Sequence, residues 1–255
     1  MRVVMGLDVS AKTVGITVST VSDELELKVL EVEYISLNSH LKRKDPMLLY
    51  DKARIFENHL IDRYVKYHVT DVVIEKPIYC DKNSETSIRL IFFTGICSDI
   101  VVRVFGVAPV FITAYDARKY GLPSLMALSK YDRDGNVRSL ENFKHMLENS
   151  HLVLFGEYPF DCSKKFIIWN CVNDKFKGIK WRYSKKDELL NENFDAADSL
   201  MCVVGYVNRM KYKEAGEPLV ADYEINEAEG MLRYTVDFCG EKTEHTIQFD
   251  EPPLN

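Results

Sequence analysis

The sequence predicts an α/β fold built on a mixed β-sheet. Three observations support this prediction. The chain opens with three short segments whose apolar residues follow strand periodicity, as in an antiparallel meander. The spacing of apolar residues then becomes helical, and two short β-branched runs follow, each preceded by a long helical pattern. Helices that alternate with buried strands after a meander favour a sheet with helices packed on it.

The first three strands form the predicted meander. Val3–Leu7 and Val14–Val18 are short apolar runs, and Ser10–Thr13 between them has residue types typical of a tight turn. Lys28–Ile35 alternates apolar and polar residues and is predicted to be the third strand. The opening of the chain is therefore expected to be a hairpin extended by one antiparallel strand.

Two helix and strand pairs follow. Pro46–His68 has apolar residues at helical spacing, with Asp45 as the predicted N-cap and proline at the first helical position. Asp71–Ile74 is predicted to be a strand buried on both faces. Ser84–Phe105 and Pro109–Thr113 repeat the same order of a helix and a buried strand.

The second half of the chain has weaker periodicity. Asp132–Asn136 has turn composition, Leu140–Glu148 is predicted to be a helix, and Phe194–Met210 is predicted to be the last apolar helix. Two alternating segments around Gly240–Glu241 then predict a terminal hairpin, namely Met231–Cys239 and Thr243–Phe249.

The composition is that of a globular protein. With 255 residues, 46% of them hydrophobic and 28% charged, the chain fits one enlarged domain or a domain with appendages. The longest apolar stretches are broken by charged residues well short of the ~20 that a membrane helix needs. The first residues lack the long apolar segment of a secretory signal, and the six cysteines include no CxxC pair. We therefore expect an intracellular protein with reduced thiols.

Charge is distributed unevenly along the chain. The net charge is −6, but residues 213–255 carry 11 acidic and three basic residues, a net of −8. Within Lys164–Lys186 there are eight basic residues and one acidic residue, interleaved with five large aromatic residues. We therefore predict a main domain over 1–212, with a basic and aromatic insertion at about 114–192, and an acidic extension over 213–255.

Four acidic residues lie at the ends of predicted elements. Asp8 follows the first apolar run and Glu75 ends the fourth strand, where an ionised carboxylate is costly unless it is paired or binds a metal. Asp195 and Asp198 are three residues apart and share one helix face. The alternative is that the strand acids are solvated caps and that the helix acids interact with the helix dipole. If the four meet, they would stay ionised together only around hard cations, which predicts two Mg²⁺ or Mn²⁺ ions about 4 Å apart.

These residues lie in motifs that resemble those of a known family. GLDVSAKTVGITV at residues 6–18 resembles the first strand-turn-strand of the RuvC group of Holliday junction resolvases, within the RNase H-like, or retroviral-integrase-like, superfamily. IEKP at residues 74–77 resembles its fourth-strand motif, and DAADSL at residues 195–200 resembles its closing helix motif. The sequence departs from the family at Ser10, where glycine is common at or beside that position, and in the length of 114–192.

The resemblance implies a fold and an activity. The fold is a five-stranded mixed sheet with helices on both faces, in a protein that is usually a homodimer. The activity is Mg²⁺-dependent cleavage of branched DNA, with Asp8, Glu75, Asp195 and Asp198 as the catalytic, metal-binding acids. The resemblance covers residues 1–210 and leaves 211–255 unexplained. A compact resolvase with an acidic extension would suit a phage or a virus.

Predicted DNA contacts lie in two places. The family has an aromatic or apolar wedge just after its second acid, where Ile78 and Tyr79 stand here, and Lys76 lies beside them. Basic residues interleaved with aromatic ones are also typical of nucleic-acid-binding surfaces. The alternatives are ordinary packing for Tyr79 and a solvated charged face for the lysines. The predicted contacts are Lys76, Tyr79, Lys164, Lys165, Lys175, Lys177, Lys180, Arg182, Lys185 and Lys186.

Two other functions compete with the endonuclease. An actin/hexokinase-like phosphotransferase opens with a similar strand, Asp, turn and strand, although such enzymes normally have two repeated domains and Gly-rich phosphate motifs that this sequence lacks. A catalytically idle protein that binds branched DNA is the second alternative. Metal-dependent nicking of DNA would separate the endonuclease from this idle binder.

Overall fold

A computed structural model describes residues 1–37, 47–79, 84–214 and 216–249. Its internal contacts divide the chain into two compact units, one formed by Met1–Ala117 with Lys165–Val207 and the other by Arg118–Lys164 with Asn208–Asn255. The expected division into a nuclease domain over 1–212 and an acidic extension over 213–255 stays a prediction. Within the described ranges no helix is long and apolar enough to cross a membrane.

The strands and helices of the described residues are as follows. The strands are β1 (Arg2–Val9), β2 (Thr13–Val21), β3 (Leu27–Ser36), β4 (Asp71–Glu75), β5 (Val110–Ile112), β6 (Met126–Leu128), β7 (Leu152–Leu154), β8 (Leu219–Asn226), β9 (Met231–Phe238) and β10 (Glu241–Gln248). The helices are α1 (Met47–Tyr67), α2 (Ser84–Phe105), α3 (Ala114–Gly121), α4 (Leu140–Glu148), α5 (Lys164–Lys175) and α6 (Glu192–Lys211). The predicted N-cap Asp45 and Pro46 lie outside the described residues.

The first unit is built on a five-stranded mixed sheet, in the order β3-β2-β1-β4-β5. β2 pairs antiparallel with both β1 and β3, as the meander requires. β4 is parallel to β1, and β5 is parallel to β4. The predicted α/β class, with an antiparallel meander followed by parallel strands and flanked by helices, is confirmed.

The two faces of the central strands have different neighbours. Met5, Leu7 and Ile16 join a buried cluster with residues of α1 and α2, such as Phe56 and Phe93. Because side chains alternate along a strand, the intervening positions face the opposite side of the sheet. Those positions carry Gly6 and Asp8 on β1 and Thr13, Gly15 and Thr17 on β2, and α6 packs there. The small and polar positions of the opening motif therefore leave room for the helix that carries the paired acids.

The second unit holds two small antiparallel sheets, β10-β9-β8 and β6-β7. β9 and β10 confirm the predicted terminal hairpin, and β8 is a third strand that the alternation did not reveal. Leu232, Tyr234 and Ile247 of the hairpin share one buried cluster with Leu128 and Phe143. Within the described part of the acidic extension, β8, β9 and β10 thus form a sheet that shares a core with Leu128 and with α4.

Candidate active site

The four predicted acids come together at one edge of the five-stranded sheet. Asp8 lies near the end of β1, opposite Gly15 of β2, and Glu75 is the last residue of the neighbouring strand β4. Asp195 and Asp198 lie in the first two turns of α6 and are both buried. Glu75, Asp198 and Asp195 are all close enough to raise the pKa of Asp8 electrostatically.

Two glycines let α6 approach the sheet closely. A Cβ atom at Gly15 would overlap the backbone carbonyl of Asp195, and one at Gly6 would overlap the backbone carbonyl of Ser199. The helix backbone therefore rests directly on the strand backbones. Ala196 and Ala197 are buried at the same contact, so they serve close packing instead of leaving an open surface beside the acids.

Hydrogen bonds fix the orientation of α6 on this face. The Thr13 hydroxyl donates to Oδ2 of Asp195. One turn further along the helix, the hydroxyls of Thr17 and Ser199 are 2.8 Å apart, and both are buried. Ser10 holds the turn before β2, because its hydroxyl accepts a hydrogen bond from the Thr13 backbone N–H at 3.0 Å. The polar residues of the opening motif thus position Asp195.

The electrostatics of the site disfavour four ionised acids on their own. The pKa of Asp8 is raised well above its ordinary value of 3.8, first by burial and then by Glu75, Asp198 and Asp195. Lys165 opposes this shift, and its Nζ atom lies 3.2 Å from Oδ1 of Asp195. Burial lowers the pKa of Lys165, but the nearby carboxylates raise it by more, so the net shift is upward. The ammonium group of Lys165 therefore stays charged.

The donor set fits a hard divalent cation. Oxygen ligands from several carboxylates are what Mg²⁺ and Mn²⁺ prefer, and a cation would relieve the repulsion that raises the Asp8 pKa. Across the described residues, however, no three His, Cys, Asp or Glu side chains are already arranged around one ion position. The chemistry of the cluster suits a metal, and the side chains would have to rearrange to bind one.

The predicted DNA contacts separate into distinct environments. Lys165 lies at the acid cluster, as described above. Arg182 is 3.3 Å from the Glu33 carboxylate and lies over the Tyr34 ring. Its guanidinium group is therefore already partly engaged by contacts within the protein. Lys177 is 3.2 Å from Asp174, and both side chains are largely exposed. The others with exposed positions are Lys76, Tyr79, Lys164, Lys175, Lys180, Lys185 and Lys186.

The aromatic residues of the basic segment are partly structural. Trp169 contacts both Phe166 and Trp181 at ring-centroid distances of 5.7 and 5.9 Å, and Trp181 donates a 2.9 Å hydrogen bond to Asn173. Tyr183 is half-exposed. The segment therefore combines a small aromatic cluster with an exposed basic surface.

Sequence reasoning missed Thr13 as a partner of Asp195 and gave Lys165 a role on DNA alone. Thr13 is 182 residues from Asp195, and nothing in the local pattern links them. A signal did exist for the close helix contact, because an isolated glycine inside a strand, such as Gly15, often marks the approach of another backbone.

Comparisons with known proteins return similarity at the level of structure alone. No protein-family profile and no curated protein matches the sequence. Thermus thermophilus RuvC, solved with a Holliday junction substrate, is 12% identical, with 84% of this chain and 96% of that one covered and a TM-score of 0.47. The yeast mitochondrial Holliday junction resolvase is 12% identical, with 83% and 80% covered and a TM-score of 0.46.

A third similar structure belongs to another class of enzyme. The Aquifex aeolicus Ppx/GppA phosphatase is 14% identical to this chain, with 84% of this chain and 92% of that one covered and a TM-score of 0.36. Because all three TM-scores are below 0.5, we base the function on the geometry of the acid cluster.

Proposed function

We propose that this chain is a divalent-metal-dependent endonuclease that cleaves branched DNA, and that its reaction is Holliday junction resolution. The observation that carries the proposal is the convergence of Asp8, Glu75, Asp195 and Asp198 at one sheet edge. Burial of several carboxylates together destabilises a fold unless cations compensate them. Such a cluster therefore favours a site that binds metal.

The residues of the site have different proposed roles. Asp8, Glu75, Asp195 and Asp198 would hold Mg²⁺ or Mn²⁺, with two ions per site. The bound ions would supply activation of water and stabilisation of the charge that develops on the phosphodiester. Thr13 holds Asp195 in place through its hydroxyl. Lys165 keeps a positive charge next to Asp195, where it reduces repulsion among the acids and can attract a DNA phosphate.

The basic segment Lys164–Lys186 is proposed to contact the DNA backbone. Lys175, Lys177 and Lys180 are exposed and lie around a groove of about 560 Å³ beside the edge strand β3. Each neutralised phosphate contributes about 0.9 to the slope of log K against log salt concentration. The triple change of these lysines to glutamine should therefore weaken binding to every DNA sequence and reduce the slope by up to about 2.7. An unchanged slope would show that the segment is a solvated surface.

A homodimer is proposed to form through α1 and α2. These helices expose an apolar groove of about 610 Å³, in which Tyr50, Ile91 and Phe92 are exposed. Exposed apolar surface of this kind marks interaction sites. Arg103 forms ion pairs with Glu57 and Asp99 at the same groove. In a two-fold dimer, each copy would therefore present both a positive and a negative side chain to the other copy. A dimer with two equal sites suits the cutting of two strands at one junction.

A panel of DNA substrates tests the proposed function. Purified protein would be incubated with a four-way junction, a Y-fork, a flap and a linear duplex, with Mg²⁺, with Mn²⁺ or with EDTA. We expect metal-dependent cleavage of the four-way junction, at paired positions on opposing strands. Binding without cleavage would favour the idle binder. Phosphate transfer from a nucleoside triphosphate to a small acceptor, without DNA cleavage, would favour the phosphotransferase.

A further inference from the structure

The second unit contains a cleft of about 230 Å³ that the acid cluster does not use. Its lining combines four aromatic residues with two basic ones, namely Tyr131, Phe155, Tyr158, Phe160, Arg138 and Lys164. All of these residues lie within the second compact unit. Of the six, the sequence identified Lys164 alone as a functional residue.

The aromatic side of the cleft is presented to solvent by a fixed loop. Phe160 is 78% exposed, so the face of its ring is accessible to a ligand. Phe155 begins the loop at a φ of +66°, a conformation that costs free energy in a non-glycine residue. Its backbone N–H is held by the Leu125 carbonyl at 2.8 Å, and Tyr158 N–H bonds to the Phe155 carbonyl at 3.0 Å. The backbone of the loop that leads to Phe160 is therefore held by hydrogen bonds.

The basic side of the cleft has unused hydrogen-bonding capacity. Within the described part of the chain, the buried Nε of Arg138 has no hydrogen-bond partner. Asp132 also lines the cleft and interacts electrostatically with Arg138, while its Oδ1 accepts hydrogen bonds from the Asp134 and Asn136 backbone N–H groups, each at 2.9 Å. A buried donor without a partner is unfavourable, so an acceptor that reached the Arg138 guanidinium would be bound favourably.

The second cation lies over the aromatic rings. The Lys164 ammonium is 5.8 Å from the ring centroids of both Phe155 and Phe160. A ligand that stacked on Phe160 would therefore also lie beside a positive charge. Aromatic faces next to basic groups are the pattern by which proteins hold single nucleotides, through stacking of the base and neutralisation of the phosphate.

We propose that this cleft binds one unpaired nucleotide of a nucleic-acid strand. The base stacks on Phe160 and Tyr158, and Arg138 and Lys164 bind the adjoining phosphate or a base carbonyl. The assignment of the strand to DNA rests on the proposed function, because a branch point is what would supply unpaired nucleotides.

The test measures binding of a fluorescent short oligothymidylate to the full chain in EDTA, so that cleavage plays no part. Stacking of one base contributes about 1–3 kcal/mol, so Phe160→Ala should weaken binding at least about fivefold. Arg138→Gln should reduce the salt slope by about 0.7, the value for one contact to a single strand. Tyr223→Ala is the matched control, since Tyr223 is a half-exposed aromatic residue of the same unit outside this cleft, and binding should be unchanged.

Two results would overturn the assignment. One is wild-type affinity in Phe160→Ala together with a wild-type salt slope in Arg138→Gln. The other is an equal loss in Tyr223→Ala, which would indicate a general effect on the unit. The proposed function fails separately, if the wild-type chain cleaves no branched DNA with Mg²⁺ or Mn²⁺. In that case the oligothymidylate measurement still decides whether the cleft binds a nucleotide.

Discussion

Gly15 sets the distance between β2 and the helix that carries Asp195. The site depends on backbone contact, because a Cβ at this position would overlap the Asp195 carbonyl. Gly15→Ala should therefore displace the start of α6, cost about 1–3 kcal/mol of unfolding free energy and abolish cleavage. Denaturant unfolding and junction cleavage measure both effects.

A matched control separates the contact from a general effect of losing a glycine. A Cβ at Gly216 meets no heavy atom within 4 Å, so Gly216→Ala should keep both wild-type stability and wild-type cleavage. Cleavage at the wild-type rate by the Gly15→Ala protein would show that the approach of α6 does not position the acids.

Asp8 is expected to destabilise the metal-free protein. Its pKa is raised in the folded state, first by burial, so the folded protein binds this proton more tightly than the unfolded chain does. Stability should therefore fall as pH rises from the ordinary pKa of 3.8 toward the raised value. Asp8→Asn removes this loss, so its melting temperature in EDTA should exceed that of the wild type by an amount that grows as pH rises from 3.8 toward the raised pKa.

Thermal melts between pH 4 and pH 8 in EDTA measure this difference. Each kcal/mol should appear as about 2–4 °C in a chain of this size. The exposed Asp134, changed to asparagine, is the control and should give melting temperatures close to the wild type. A lower melting temperature for Asp8→Asn than for the wild type at neutral pH would contradict the described charge cluster.

At the scale of single residues, the sequence predicts that the four acids meet, but it does not predict which side chains contact them. Asp8, Glu75, Asp195 and Asp198 were identified because each lies where a strand or a helix begins or ends. Thr13 and Lys165 join them through side-chain contacts across 182 and 30 residues. Contacts of that kind depend on the packing of α6 against the sheet, which local periodicity does not encode.

Elements were predicted best where the periodic pattern was long. α2 begins and ends at the predicted residues Ser84 and Phe105, and α4 likewise matches Leu140–Glu148. β6 and β7 were missed because each has three residues, too few to show a period. β8 was missed because most of its side chains are exposed, so its sequence lacks the alternation of a half-buried strand.

The terminal hairpin should contribute strongly to the stability of its unit. Leu232 of β9 is fully buried in the cluster that includes Leu128 and Phe143. Leu232→Ala should therefore cost about 2–5 kcal/mol of unfolding free energy. Leu219 of β8 is half-exposed, so Leu219→Ala should cost much less. Urea unfolding compares the two variants, and equal costs would show that the extension is an independent appendage.

At the scale of the whole molecule, the oligomeric state tests the exposed groove between α1 and α2. Phe92 is 66% exposed in that groove, so Phe92→Asp should disrupt an apolar dimer contact while it leaves the monomer folded. Light scattering after size exclusion should give twice the mass of one chain for the wild type and the mass of one chain for the variant. Tyr223→Asp, at a half-exposed position of the second unit, should remain dimeric. A monomeric wild type would contradict the dimer.

The four converging acids are proposed to hold metal for the cleavage of branched DNA. The most direct measurement compares Mg²⁺-dependent cleavage of a four-way junction by the wild type with that by Asp8→Asn, Glu75→Gln, Asp195→Asn and Asp198→Asn. Because loss of a group that merely supports a metal ligand costs about 10–100-fold, loss of a ligand should reduce cleavage by about a hundredfold or more. Binding to the junction in Ca²⁺ should change little, since these acids are proposed to hold metal and not DNA. Wild-type rates of cleavage by the Asp8→Asn protein would show that Asp8 does not hold a metal that cleavage requires.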